Sequence, residues 1–213
     1  MHWYTDKISD TRISPTSIVE AFNCTRILLP SYPFTLDPPS DTRSIELDSE
    51  LLELKARVAS LDDVRERLSP FTPHFVAALR QVDTYFDVPR GRLKLREIDG
   101  AEEAKLIYYE REDVTGPKQS KVWLMRIPNP TVFKVFFGRI LPTKVVIDKE
   151  RAIYMYRGTQ IHLDVVKNLG TFIEFERTIT DVLEDRKMLE RLMEGLGIDE
   201  HDLVRGSYSD LAS

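Results

Sequence analysis

Several stretches of this chain alternate strictly between apolar and charged residues, and the charges come in clustered sets. Glu53, Lys55 and Arg57 are spaced by two, as are Arg92, Lys94 and Arg96, then Lys149 with Arg151, and Glu174 with Glu176. That spacing puts each set on one face of a β-strand. Leu52, Leu54 and Ala56, Leu93 and Leu95, and Ile173 and Phe175 fall on the opposite faces. A half-exposed antiparallel sheet turns polar residues to solvent and pairs opposite charges across strands. It rarely gathers three cations on one strand and two anions on another.

A sheet closed on itself accounts for the segregation. Apolar faces then point outward to covering helices, and charged faces line a water-filled interior. Cations confined there repel one another unless a highly charged anion joins them. A polyphosphate suits that role, because Arg forks and Lys ammonium groups both grip phosphate oxygens. Paired carboxylates would hold a hard cation, Mg2+ or Mn2+, that bridges to phosphate.

The rest of the chain supplies the elements for such a barrel. Residues 1–46 show no sustained period and are punctuated by Pro15, Pro30, Pro33, Pro38 and Pro39, so an irregular extension is expected there. Strands are expected over 52–58, 75–86, 92–96, 106–111, 120–127, 145–156, 159–165 and 171–177. Ser60 and Asp63 have capping-box spacing ahead of a helix reaching Leu68. Asn129 and Pro130 open another helix, with Val132, Phe133, Phe136, Phe137 and Ile140 expected on the core. Residues 181–196 form a strongly amphipathic helix that Gly197 stops. The fold class is therefore α+β: a closed antiparallel eight-stranded β-barrel with flanking helices.

Composition narrows the function. The formal net charge of −5 argues against a general nucleic-acid binder. The lone Cys24 has no internal partner and sits in the irregular stretch, which excludes an internal disulfide and disfavours a nucleophile. No apolar run is long enough to span a bilayer, and residues 1–10 lack the apolar core of a signal peptide, so no membrane partner and a cytoplasmic location are expected. His162 shares a strand face with Asp164 and reads as a structural or hydrogen-bonding residue.

These residues resemble a known family. The Glu53, Lys55, Arg57, Val58 strand looks like the one that opens CYTH domains, the triphosphate tunnel metalloenzymes. It is followed in the family's order by Asp83-Thr-Tyr-Phe86, Gly91-Arg-Leu-Lys-Leu-Arg96, Leu106-Ile-Tyr-Tyr-Glu-Arg111, Gly116-Pro-Lys-x-Ser120, Ile161-His-Leu-Asp164 and Leu169-Gly-Thr-Phe-Ile-Glu-Phe-Glu176. The likeness begins near Glu50, which makes 47–213 the tunnel domain. It implies a metal-dependent phosphohydrolase acting on inorganic or organic triphosphates, with two alternatives. One is a class IV-type adenylate cyclase that makes cyclic AMP and pyrophosphate; the other is a polyphosphate-binding protein without turnover.

Carried over by position, the resemblance implies Glu53, Glu174 and Glu176 as metal ligands. It implies Lys55, Arg57, Lys94, Arg96, Lys149 and Arg151 as phosphate-binding cations, and Glu53, Lys55 and Arg96 as the catalytic set. Asp164 matches an inward acidic position. Leu51 stands where the family's Glu-x-Glu-x-Lys motif has its first Glu. Neither Glu110 nor Arg111, which stand where many members have Lys, is assigned a catalytic role. The expected partner is a small triphosphate, bound by a monomer or homodimer.

Overall fold

The structure, a computed structural model, describes residues 49–212. The irregular stretch expected over residues 1–46, Cys24 included, lies outside the described residues. Strands are β1 (Ser49–Arg57), β2 (His74–Phe86), β3 (Arg92–Ile98), β4 (Ala104–Arg111), β5 (Lys118–Ile127), β6 (Thr143–Tyr156), β7 (Thr159–Val166) and β8 (Gly170–Thr178). Helices are α1 (Leu61–Leu68), α2 (Pro130–Phe137), α3 (Val182–Leu196) and the short α4 (Tyr208–Leu211). The strands close in the order β1-β5-β4-β3-β2-β6-β7-β8, with antiparallel pairing throughout. Closure leaves no strand edge unpaired.

Local signals place the turns and caps. Ser60 accepts a hydrogen bond from the Asp63 amide at 3.2 Å, capping α1. Asp181 accepts from the amides of Leu183 and Glu184 at the start of α3, and Gly197 ends that helix at φ 63°. Arg157 and Gly158, both at positive φ, turn β6 back into β7.

The outward apolar faces are buried as expected. Leu52, Leu54 and Ala56 of β1, Ile161 and Leu163 of β7, and Ile173 and Phe175 of β8 form one core with Leu61, Val64 and Leu68 of α1 and Leu189, Leu192 and Leu196 of α3. Those two helices cover one side of the barrel. A second cluster, on Phe86, Leu95, Ala104, Leu106 and Ile127, is covered by Phe133 and Phe137 of α2. The rest of the α2 stripe departs from expectation. Val132 (62% exposed) and Phe136 (60%) face outward, as does Ile140 (60%), which lies past the end of the helix. Helix α2 is eight residues long and touches the sheet along one edge, which Phe133 and Phe137 suffice to cover.

The interior also differs from a uniformly charged lining. Tyr85, Ile107, Tyr109, Val122, Ile147, Val166 and Phe172 form a third apolar cluster, with Tyr208 of α4 and the half-buried Leu51, Val204 and Leu211 packed into it. Most of these residues lie in register with inward charges: Tyr85 is opposite Lys94, Ile147 opposite Asp83 and Phe172 opposite Asp164. The interior therefore has a charged part and an apolar part that the C-terminal segment fills.

Leu192 is fully buried beneath the barrel wall. Leu192→Ala is expected to lower stability by about 2–5 kcal/mol through lost burial and a residual cavity. Urea unfolding checks this as a lower midpoint at unchanged slope.

Candidate active site

The cross-strand register assembles the charged part. On β8, Glu176 faces Glu53 of β1 and Glu174 faces Lys55. On β7, His162 faces Glu174 and Asp164 faces Phe172. Arg151 of β6 faces Asp164, and Asp83 of β2 faces Arg96 of β3. Side chains distant in sequence thus meet in one enclosed space.

Three buried carboxylates organise it. Asp83 accepts from Arg96 Nε at 2.7 Å and Nη2 at 2.8 Å and from Lys149 Nζ at 2.8 Å, with Lys94 Nζ at 3.3 Å. Glu174 accepts from Lys55 Nζ at 2.5 Å and Arg151 Nη2 at 2.6 Å. Asp164 takes both arms of the Arg151 fork, at 2.7 and 2.6 Å, and the Tyr208 hydroxyl at 2.7 Å. A fourth carboxylate, Glu53, accepts from Arg111 Nη1 at 2.6 Å.

Lys55, Lys94, Arg96, Arg111, Lys149 and Arg151 outnumber these carboxylates, and the imbalance shows in their proton affinities. Burial pushes the Asp83 carboxyl up, yet Arg96, Lys149 and Lys94 together hold it well below the usual range. Glu174 is likewise held well below, because Lys55 and Arg151 outweigh its burial. Glu53 goes the other way: burial, with Glu174 and Glu176 adding, overrides Arg111 and raises it. Burial brings Lys149 down to about 7, with Arg96, Arg151 and Lys94 pushing the same way against Asp83. Lys94 falls to about 8, again chiefly through burial, with Arg96 adding to it.

Two groups keep unused valence. The Arg111 side chain is buried, and its Nε and Nη2 make no hydrogen bond, Nη2 lying 3.9 Å from Asp113 Oδ1. His162 is 2% exposed; its Nε2 meets Gln160 Oε1 at 3.2 Å, while Nδ1 makes no hydrogen bond and lies 3.7 Å from Glu174 Oε2 and 3.6 Å from Glu176 Oε1. Buried polar atoms without partners are uncommon and call for a physical reason.

One end of the interior is stopped. The Val204 amide donates to Lys55 O at 2.8 Å, and buried Lys118 donates to Val204 O and Arg205 O at 2.9 and 2.8 Å. Asp210 pairs with Arg92 at 2.7 Å. The Tyr208 ring lies 3.8 Å from Lys55 Nζ and packs edge-on against Phe172. Carboxylate exposure rises away from this stopper, from 0% at Asp164 through 7% at Glu174 to 23% at Glu176. A ligand would therefore enter from the Glu176 side.

The structure brings Glu53, Lys55, Lys94, Arg96, Lys149, Arg151, Glu174 and Glu176 to this interior. Arg57 stands apart: it is exposed at the end of β1, donates to Leu169 O at 2.5 Å and rests on the Phe172 ring. Leu51 joins the apolar cluster, opposite Ser120 on β5 and Thr178 on β8. Sequence reasoning gave no role to Arg111 or Asp83. Both share strand parity with inward residues, Arg111 with Tyr109 and Asp83 with Tyr85, so the signal was present in the alternation. Tyr208 and Lys118 carried no such pattern.

A closed antiparallel barrel with inward cations bridged by buried carboxylates defines a charged-tunnel protein. The CYTH domain family model matches residues 51–208, and the chain belongs to that family. A Methanocaldococcus jannaschii protein named as a candidate adenylate cyclase is 28% identical over 177 residues, which are 75% of this chain and 97% of that protein. The PH1012 protein of Pyrococcus horikoshii superposes with a TM-score of 0.70 at 23% identity, over 76% of this chain and 98% of that one. A Hippeastrum adenylyl-cyclase-like protein reported to have a dominant triphosphatase activity superposes at 0.55 with 15% identity, over 77% and 93% of the two chains. These two structural likenesses are of fold. No helix among the described residues is long and apolar enough to cross a membrane.

The lowered lysines predict a proton signature. At pH 8 Lys149, at about 7, is mostly neutral and Lys94, at about 8, is half charged. An arriving polyphosphate favours their charged forms, so binding should take up about one to two protons at pH 8 and weaken as pH rises further. Calorimetry of tripolyphosphate binding in buffers of different ionisation enthalpy measures that uptake, and Lys149→Gln should reduce it.

Proposed function

We propose that this chain is a metal-dependent phosphohydrolase that cleaves inorganic or small organic triphosphates inside the barrel. The observation that carries this reading is the surplus of inward cations over carboxylates, with Arg111 Nε and Nη2 making no hydrogen bond while its Nη1 donates to Glu53. Burying unpaired cations costs free energy, and a multiply charged anion offsets that cost where a monovalent one does not.

The residues share out the work as follows. Lys55, Arg96, Lys149, Arg151 and the free arm of Arg111 grip the phosphate oxygens, and Lys94 joins them when protonated. Because they are held in place before the ligand arrives, they neutralise charge as it moves onto the leaving phosphate without further reorganisation. Water attacks the terminal phosphorus in line with the departing oxygen. Glu53, whose carboxyl is raised by burial, sits across from Glu176 and is suited to accept the proton that water loses.

The donor set fits a divalent ion, since the ligand atoms of Glu174, Glu176 and His162 all lie within 4.8 Å of one another. Glu174 and Glu176, with Glu53 beside them, would hold it. A bound Mg2+ or Mn2+ would supply Lewis-acid neutralisation of phosphate charge.

A second reading, cyclisation of ATP to cyclic AMP and pyrophosphate, is favoured by the name of the Methanocaldococcus jannaschii relative. The Hippeastrum protein's reported activity favours hydrolysis. The same cations serve both reactions; the nucleophile differs.

Incubation with tripolyphosphate, thiamine triphosphate and ATP, with and without metal, separates them. Phosphate release that requires metal and falls at least about a hundredfold in Glu174→Gln supports hydrolysis. Cyclic AMP with equimolar pyrophosphate would replace that reading with the cyclase. Tight triphosphate binding with no product would mark a binding module. Arg111→Met should raise KM about tenfold or more by removing a bidentate anion contact.

A further inference from the structure

Within the charged part of the barrel, the environment of His162 is not explained by phosphate binding. Its ring stands between strands β7 and β8 at 2% exposure. An Nε2 that donates to Gln160 Oε1, 3.2 Å away, leaves a lone pair on Nδ1. That lone pair has no hydrogen bond and faces two carboxylate oxygens at 3.6 and 3.7 Å. Glu174 Oε2 already accepts from Arg151 Nη2 at 2.6 Å, so it is the Nδ1 lone pair, facing that oxygen and Glu176 Oε1, that is repelled unless a cation lies beside it. Donors so separated subtend angles of about 110–120° at an ion roughly 2.1–2.2 Å from each, an ordinary opening for a coordinated metal.

The loss of a carboxylate at position 51 makes this arrangement more telling. Leu51 turns its side chain into the apolar cluster and offers nothing to an ion. Arg111 holds Glu53, and Lys55 and Arg151 hold Glu174, so a metal on this wall would draw on oxygens already shared with cations. His162 supplies a nitrogen there. Imidazole suits manganese, cobalt and zinc, whereas Mg2+ favours oxygen ligands and keeps its waters. Gln160 completes the unit by fixing the ring tautomer, as hydrogen-bonded partners of metal-binding histidines do.

We propose that His162, Glu174 and Glu176 form a mixed nitrogen–oxygen metal centre in which His162 Nδ1 is a direct ligand, and that this nitrogen sets a preference for a transition metal such as Mn2+ over Mg2+. The inference rests on the phosphohydrolase reading for the use of the metal, but its test does not need turnover.

The experiment uses the purified chain and Mn2+ alone, without triphosphate. Pulsed electron paramagnetic resonance detects nitrogen bound directly to Mn2+, and titration calorimetry gives the Mn2+ and Mg2+ affinities. The expected result is a directly coordinated nitrogen signal in the native chain, absent in His162→Phe. The same variant should bind Mn2+ about ten- to a hundredfold more weakly while its Mg2+ affinity moves far less. Glu176→Gln, at a more exposed position, should weaken Mn2+ binding yet keep the nitrogen signal at saturating metal, and thermal melting confirms that each variant is folded.

Mn2+ bound without nitrogen coupling, or coupling that persists in His162→Phe, would overturn the proposal and leave hydrolysis standing. So would metal that binds only together with triphosphate. A His162-dependent Mn2+ site in a chain that releases no phosphate would overturn the phosphohydrolase reading and leave the metal centre intact.

Discussion

The structure depends on carboxylates that hold more cations than they can neutralise. Asp83, with no exposed surface, anchors Arg96, Lys149 and Lys94; Glu174 and Asp164 share Arg151. Removing Asp83 or Glu174 would leave a cation buried without its carboxylate, which typically costs more than the intact pair contributes. The acids therefore serve as counter-ions to the inward cations and hold them in place. Burial, with neighbouring cations adding, lowers the basicity of Lys149 and Lys94, while the cations around Asp83 and Glu174 keep those two carboxylates ionised.

The walls make that interior possible. Eight antiparallel strands close the sheet, so each strand satisfies its backbone groups in its neighbours and can turn every other side chain inward. The outward faces of β1, β7 and β8 then behave as the core of an ordinary domain, with α1 and α3 packed on them. Burial of those apolar side chains stabilises the fold from outside, at about 25 cal/mol per Å2, and offsets what the charged interior costs.

Much of this was legible in the chain. Charged residues two apart, such as Lys149 with Arg151 and Glu174 with Glu176, named the inward face, and all eight strands lie where alternation put them, within a few residues. Alternation does not report depth along the barrel axis. Tyr85 and Asp83 share a face, yet one lies in the apolar part and the other among the cations, because strand stagger rather than period sets their height. For the same reason Arg57 belongs to the inward series yet ends at an exposed rim. The apolar stripe of α2 misled because a helix of eight residues repeats too few turns to say how much of it the sheet covers. Tyr208 escaped notice because its importance comes from where the C-terminal segment folds back.

That fold-back has a consequence for processivity. With Tyr208 hydrogen-bonded to Asp164 and Lys118 gripping the carbonyls before it, the barrel is a blind tube with its stopper on the side of Phe172. A long polyphosphate that entered such a tube could not thread through it; it could only present its end. Under the proposed hydrolysis, attack would then be restricted to chain termini, and a product would have to back out before the next end came in. Chains of different length would compete as equals, each counted by its ends rather than by its phosphates.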